Sequence, residues 1–217
     1  MAEPKIFILN QEPSVANHFI AELRDVRVQR DSMRFRRNLE RLGEILAYKI
    51  STGLSYRTEA VETPLALTSE LVLEDFPVLA TVLRAGLPFH QGFMNYFDQA
   101  SSAFVAAYRM EATSEISVQV DYLAAPSLEG KVLLLVDPML ATGKSLALTY
   151  KAMLRFGMPR EVHLAAAIAS PEGVAHIQAA LPQAHIWLGA LDERLDENFY
   201  IVPGLGDAGD LAFGAKI

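Results

Sequence analysis

One stretch of nine residues in the second half of the chain combines the groups that hold a sugar phosphate. It follows the apolar run Val132 to Val136 and reads Asp137-Pro138-Met139-Leu140-Ala141-Thr142-Gly143-Lys144-Ser145. Gly143 lets the backbone approach an anion closely, the hydroxyls of Thr142 and Ser145 can donate hydrogen bonds, and a helix beginning near Ser145 offers unpaired N–H groups. A carboxylate such as Asp137 suits ribose hydroxyls, which donate hydrogen bonds to it. The segment therefore predicts a site for a sugar phosphate.

Two other interpretations of this segment stay in view. Gly143-Lys144-Ser145 resembles the end of a nucleotide-binding P-loop, but that motif requires glycine where Pro138 stands. A nucleoside triphosphatase is therefore disfavoured. The second interpretation is a plain strand-to-helix turn in which Thr142 or Ser145 only caps the helix.

Strand-like and helix-like segments alternate along the chain, and this alternation predicts the fold class. The pattern predicts strands at 78–83, 103–108, 132–136, 162–169 and 186–191, an exposed hairpin strand at 116–122, and helices at 87–98, 146–155 and 171–181. Strands that are apolar on both faces indicate a mainly parallel, doubly wound α/β sheet flanked by helices, with 132–136 at its centre. Ligands in this class bind beyond the carboxyl ends of the strands, which selects Arg84, Arg109 and Asp137.

Composition limits the functional classes. The 217 residues are 51% hydrophobic, enough for one domain with a substantial core, and the net charge of -7 disfavours general binding of nucleic acid or acidic membranes. The chain has no cysteine, and neither a signal peptide nor a long uncharged apolar stretch is recognisable. We therefore expect a cytoplasmic protein that neither spans nor binds a membrane. The five histidines show no metal-ligand spacing.

An arginine-rich stretch from Arg24 to Arg41 is the exception to the acidic character of the chain. Its apolar residues recur at helical spacing, which predicts an amphipathic helix with a solvated basic face or a subunit interface. The alternative is a site for a nucleotide effector or for nucleic acid. A polar segment at 51–75 follows, and no element is predicted there.

Several segments together resemble the uracil phosphoribosyltransferase family. Asp137 to Ser145 resembles the loop of that family that binds phosphoribosyl pyrophosphate (PRPP), and Leu83 to Leu87 resembles its pyrophosphate-contacting loop. Tyr200 to Asp210 resembles its uracil-binding segment, the most specific of these motifs. A further element is matched by Tyr108-Arg109 with Glu111 and Thr113. The resemblance spans about residues 24–214.

The resemblance implies an activity and a role for each matched residue. The reaction would be uracil + PRPP giving UMP + pyrophosphate, by displacement at the anomeric carbon of ribose. Arg84 and Arg109 would bind pyrophosphate, and Asp137 to Ser145 would hold the ribose 5-phosphate. Uracil would be held by Ile201, Gly206, Asp207 and Ala208. Asp207 would also reach PRPP, which makes Asp207, Arg84 and Arg109 the catalytic candidates.

The resemblance also implies an architecture and partners. The fold would be type I phosphoribosyltransferase-like, a single domain over 1–217 with a helical extension at about 1–50, a hairpin arm and a base-binding hood at about 192–217. Mg2+ would be the cofactor, held mostly by substrate and water, with no protein ligand assigned. A homodimer or higher homo-oligomer is implied, and regulation by GTP, known in some family members, is left open.

Three residues depart from the family pattern. Lys144 stands where these enzymes usually have glycine, Lys49 where glutamate is frequent, and Leu211 where a basic residue is usual. Lys144 either adds a phosphate contact or restricts the loop. Lys49 and Leu211 bear on regulation and subunit contacts more than on chemistry.

Three rival functions remain at the level of sequence. A purine or orotate phosphoribosyltransferase would share the fold, but residues 201–210 argue against it. A regulator that senses PRPP and binds RNA through Arg24 to Arg41 is disfavoured by the acidic net charge. An inactive paralogue is suggested only by Lys144 and Leu211.

Overall fold

The computed structural model describes residues 5–110 and 117–215, with side chains described outside residues 107–121. The strands are β1 (Ile6–Ile8), β2 (Tyr56–Glu62), β3 (Leu67–Leu73), β4 (Val78–Leu83), β5 (Ser101–Met110), β6 (Ser117–Ala124), β7 (Val132–Leu140), β8 (Glu161–Ala169), β9 (His185–Leu191), β10 (Arg194–Leu195) and β11 (Ile201–Val202). The helices are α1 (Val15–Arg24), α2 (Ser32–Ser51), α3 (Leu87–Tyr96), α4 (Lys144–Met153), α5 (Pro171–Ala180) and α6 (Ala208–Phe213).

Seven strands form the main sheet, in the order β1-β9-β8-β7-β4-β5-β6. All neighbours are parallel except β5 and β6, which are antiparallel. β7 is the middle strand, as the run of apolar residues predicts. β1 was not predicted, since three residues carry too little periodicity to identify a strand.

The two faces of the sheet bury separate apolar cores. Leu134 and Val136 of β7 face the core shared with α1, α2 and α3, whereas Leu133 and Leu135 face the core shared with α4 and α5. Alternate residues of a strand point to opposite faces, so both faces of this apolar strand are covered. The predicted doubly wound α/β class is confirmed.

β7 continues beyond the predicted end at Val136. Asp137 pairs with Ala166 of β8, and Leu140 pairs with Ala169. The prediction that the loop begins at Asp137 is therefore wrong, and only residues 141–143 separate β7 from α4. The ladder continues because β8 still offers backbone partners there, even though Pro138 itself lacks an N–H group.

The arginine-rich stretch is not the single helix predicted. α1 ends at Arg24, and α2 begins after Asp31, whose side chain accepts hydrogen bonds from the N–H groups of Met33 and Arg34 at 3.0 and 3.1 Å. Aspartate favours such a cap over a helix interior, which explains the break.

Several arginines of this stretch are neutralised locally. Ion pairs join Arg27 to Asp25, Arg34 to Glu22 and Arg37 to Glu40. A face whose cations are matched by carboxylates attracts polyanions weakly. The pairing supports a structural role for the stretch over a nucleic-acid site.

Residues 51–75, where no element was predicted, contain an antiparallel hairpin of β2 and β3 that is separate from the main sheet. Most of its residues are exposed, so the alternation that marks a half-buried strand is absent from the sequence. The predicted hairpin strand at 116–122 is confirmed for residues 117–122, which lie in β6 and pair antiparallel with β5 at the edge of the main sheet, whereas residue 116 lies outside the described residues.

Candidate active site

Two of the predicted ligand segments lie on neighbouring strands of the sheet. β4 and β7 are neighbours in register, with Thr81 opposite Val136, and the Thr81 hydroxyl donates a hydrogen bond to the Val136 carbonyl at 3.0 Å. Arg84 follows the end of β4, and Asp137 follows Val136. The predicted pyrophosphate and sugar-phosphate segments thus meet at the carboxyl edge, where open α/β sheets bind ligands.

The predicted phosphate loop ends at the N-terminus of α4. Gly143 precedes α4 with a φ of +72°, and a Cβ there would lie 2.8 Å from the Gly173 carbonyl oxygen. Both the left-handed backbone and the close contact require glycine at this position. The N–H group of Lys144 donates to the Thr142 hydroxyl at 3.4 Å, and the next N–H groups at a helix N-terminus lack partners within the helix, as a phosphate site needs.

The loop rests on the start of α5 through contacts that the sequence did not reveal. The buried hydroxyl of Ser170 donates to the Ala141 carbonyl at 2.7 Å and accepts from the Gly173 N–H at 2.9 Å. Ser170 before Pro171 is a recognisable helix cap, but its bond to Ala141 joins residues far apart in sequence. Ser170 thus fixes both a helix end and the phosphate loop.

Asp137 is half-buried at the edge of the sheet. Its Oδ1 accepts a hydrogen bond from the Met139 N–H at 3.3 Å. A carboxylate beside a phosphate loop is suited to accept hydrogen bonds from sugar hydroxyls.

The C-terminal segment reaches back to Arg84. One guanidinium nitrogen of Arg84 lies 3.4 Å from Asp210 Oδ1 and 3.3 Å from the Gly214 carbonyl oxygen. This contact brings the predicted uracil segment to the predicted pyrophosphate loop. The sequence indicated the two segments separately, but it carried no signal for the pairing of Arg84 with Asp210.

The residues predicted to hold uracil surround a short turn. Ile201 is buried and pairs with Leu195, whereas Gly206 is exposed with a φ of +93°. Asp207 caps α6, because its Oδ1 accepts a hydrogen bond from the Asp210 N–H at 2.9 Å. Ala208 is the buried first residue of α6.

Arg109 lies in β5 opposite Val118, but its side chain is outside the described part of the chain, as is that of Tyr108. Glu111 and Thr113 also fall outside the described residues. The role of these residues stays a prediction.

The three departures from the family pattern lie in different places. Lys144 is exposed at the start of α4, beside the phosphate loop. Lys49 lies over the ring of Phe7, 5.8 Å from its centre. Leu211 packs against the buried core. Of the three, Lys144 is therefore the one beside the predicted phosphate loop.

His90, in α3 behind the Arg84 loop, is buried against Phe104 and gives a testable pH dependence. Burial lowers the pKa of His90 to about 4. In the unfolded chain His90 therefore takes up a proton below about pH 6.5, whereas in the folded chain it stays neutral until the pH is much lower. The free energy of unfolding consequently falls as the pH falls. Between pH 6.5 and 5.5 we expect a loss of about 1 kcal/mol from this residue, measured by urea unfolding.

Replacement of His90 by glutamine should remove this contribution from the pH dependence. If the free energy of unfolding of the His90 variant depended on pH as that of the wild type does, His90 would not be the source of the loss.

Phe199, next to the uracil segment, has an unusual backbone that gives a second test. Its φ of +62° is unfavourable for a bulky side chain, and the side chain is exposed. We expect Phe199→Gly to raise the free energy of unfolding by about 0.5–1 kcal/mol and Tm by about 2 °C, because relief of strain exceeds the added entropy of the unfolded chain. Tyr200→Gly is the matched control, since Tyr200 is similarly exposed without positive φ, and it should not stabilise.

Within residues 5–110 and 117–215, no group of three or more His, Cys, Asp or Glu residues could hold a metal ion. No helix among the described residues is long and apolar enough to cross a membrane.

Comparisons with known proteins agree on one family. The uracil phosphoribosyltransferase family profile matches residues 10–215. A uracil phosphoribosyltransferase of Porphyromonas gingivalis is 48% identical over 98% of this chain and 100% of its own length. One from Thermococcus gammatolerans is 35% identical over 91% of this chain and 88% of its own.

A solved structure has the same fold. The AQ2163 protein from Aquifex aeolicus superimposes with a TM-score of 0.87 at 29% identity, over 98% of this chain and 99% of that one. Together with the match of the family profile over nearly the whole length, these likenesses lead to one conclusion. This chain belongs to the uracil phosphoribosyltransferase family.

Proposed function

We propose that this protein is a uracil phosphoribosyltransferase, which joins N1 of uracil to the anomeric carbon of PRPP and releases pyrophosphate, giving UMP. The observation that carries the proposal is the meeting of three segments at one edge of the sheet. They are the phosphate loop (residues 137–145) at the end of β7, the Arg84 loop after β4 and the C-terminal segment that contacts Arg84. Family membership supplies the choice of uracil.

Arg84 would bind pyrophosphate and offset the charge that develops as it leaves. A guanidinium suits a diphosphate because it donates two parallel hydrogen bonds and stays charged. Its present contact with Asp210 is long, at 3.4 Å, and half-exposed, so a diphosphate could replace it without breaking a buried pair. Arg109 is assigned the same task from the sequence resemblance.

Residues 137–145 would hold the ribose 5-phosphate. The phosphate would accept hydrogen bonds from the N-terminus of α4 and from the hydroxyls of Thr142 and Ser145, while Asp137 would accept them from the ribose. Glycine at 143 lets the backbone approach the phosphate.

Residues 201–208 would read uracil through backbone groups. The edge of uracil alternates acceptor, donor and acceptor, and cytosine would leave some of these groups unpaired. A polar site that loses its partners discriminates strongly, which supports selection of uracil over cytosine.

We include Mg2+ in the proposal. Mg2+ in such sites is usually bound by one or two carboxylates, substrate oxygens and water, so the proposal requires no dense carboxylate cluster. Asp207 is the residue that would position such a water, through the carboxylate oxygen that does not cap α6. When bound, the ion would neutralise charge on the departing pyrophosphate.

The cytoplasm is the compartment that we propose, and a homodimer is the assembly. β2 and β3 support self-association, because Leu65, Leu67 and Leu71 are 97, 75 and 70% exposed on an isolated hairpin. Two-stranded hairpins are marginally stable alone, and symmetric homo-oligomers are the commonest assemblies. Gel filtration with light-scattering detection would test whether the particle has twice the mass of the chain.

GTP is proposed as a possible effector. Its effect on turnover is tested by adding it to the assay described next.

The test of function is turnover by the purified chain with PRPP, Mg2+ and, separately, uracil, cytosine, orotate, hypoxanthine or adenine. UMP and pyrophosphate formed from uracil alone would support the proposal. Product from another base would reassign the substrate. PRPP binding without product from any base would refute the proposal in favour of a regulator or an inactive paralogue.

A further inference from the structure

A buried ion pair outside the phosphate loop holds the segment proposed to read uracil. Asp192 follows β9, and its side chain is only 3% exposed. It pairs with Arg24, the last residue of α1, through both carboxylate oxygens, with Arg24 Nη1 to Asp192 Oδ2 at 2.8 Å. Burial of a charge pair is favourable only when its remaining hydrogen bonds are satisfied. Here they are satisfied by one glycine of the C-terminal segment.

That glycine is Gly204, and the ion pair holds its backbone from both sides. The Gly204 N–H donates to Asp192 Oδ2 at 2.8 Å, and Arg24 Nη1 donates to the Gly204 carbonyl at 2.9 Å. Arg24 is itself steadied by the buried side chain of Gln29, which donates to the Arg24 carbonyl at 3.0 Å. The position of Gly204 therefore depends on both charged side chains.

Gly204 lies between the two groups of residues proposed to contact uracil. A Cβ on Gly204 would lie 2.0 Å from the Ile201 carbonyl oxygen, so the two residues are in tight backbone contact. Gly206, Asp207 and Ala208 follow after a single residue, Leu205. A shift of Gly204 would move Ile201 and the Gly206 turn together.

We propose that Arg24 and Asp192 are positioning residues for uracil recognition, which set the distance between Ile201 and residues 206–208. This inference rests on the proposed function. Neither residue is assigned a contact with uracil, and neither belongs to the phosphate loop. Loss of the pair should therefore weaken uracil recognition far more than PRPP binding, because the PRPP contacts proposed apart from Asp207 lie at Arg84, Arg109 and residues 137–145. Since recognition depends on distances of about an ångström, even a small shift of this backbone is costly.

The test is a comparison of Michaelis constants for the two substrates. Asp192→Asn keeps an acceptor for Gly204 but removes the charge that orients Arg24. We expect the KM for uracil to rise by at least about 10-fold, and that for PRPP to change by less than about 2-fold. Arg24→Lys keeps the charge, but an ammonium group cannot bridge Asp192 and the Gly204 carbonyl as a planar guanidinium does. It should raise the KM for uracil more than the KM for PRPP as well, but by a smaller factor.

The matched control is Glu22→Gln. Glu22 also lies in α1 and pairs with Arg34 of α2, but it has no contact with Gly204 among the described residues. It should leave both constants unchanged. If Asp192→Asn does not fold, Arg24→Lys decides the question.

The possible failures are distinguishable. The positioning role would be overturned if the folded variants raised the KM for uracil and the KM for PRPP equally, or raised neither. The proposed function would still be supported in that case by turnover of uracil by the wild-type chain. A wild-type chain that does not use uracil would refute the proposed function and this inference with it.

Discussion

Replacement of Gly173 by alanine is expected to raise the KM for PRPP by about 100-fold, with little change in the KM for uracil. The added Cβ would lie 2.2 Å from the Ala141 carbonyl oxygen and 2.7 Å from that of Leu140. Both obstacles are backbone atoms of the proposed phosphate loop, so a side chain cannot rotate away to make room. The loop must move, and its N–H groups and hydroxyls then no longer converge on the phosphate.

Gly53→Ala is the control for this prediction. A Cβ at Gly53 would meet only the Ile50 carbonyl oxygen, at the ordinary distance of 3.6 Å. The same substitution there should leave both Michaelis constants as in the wild type. Steady-state kinetics with each substrate varied in turn would measure the effect. A Gly173→Ala enzyme with wild-type affinity for PRPP would show that the loop does not hold it.

The comparison of sequence with structure separates what local patterns encode from what they cannot. The strand at Val78–Leu83 was predicted to the residue, because an apolar run ends at Arg84-Ala85-Gly86. The end of β7 was missed, since the strand continues only through pairing with β8, a segment distant in sequence. Local periodicity contains no information about such a partner.

The site shows the same division. Motifs selected the segments proposed as the phosphate loop and the uracil segment, because glycine and hydroxyl residues at fixed spacing leave a signature. The Ser170 hydroxyl beneath the loop and the Asp192 carboxylate beneath Gly204 left none. Each acts through one bond to a backbone atom that only the fold brings near. Supporting residues of this kind can therefore be identified from the contacts in the structure but not from the sequence alone.

Asp207→Asn tests whether Asp207 acts in catalysis or only caps a helix. Asparagine caps helices about as well as aspartate, so the hydrogen bond from the Asp210 N–H should survive. The negative charge is lost, and with it any ability to take a proton or orient a metal-bound water. We expect kcat to fall by about 100- to 1000-fold. The free energy of unfolding, measured by thermal unfolding, should change by no more than about 1 kcal/mol, the usual effect of a charge at a helix N-terminus.

Asp31→Asn is the matched control, because Asp31 caps α2 in the same way and lies outside the proposed site. It measures the stability effect of the substitution alone, and kcat should be unchanged. If Asp207→Asn turned over like the wild type, the charge of Asp207 would have no catalytic part. Its role would then be to end the uracil segment in a helix, as its hydrogen bond to Asp210 already does.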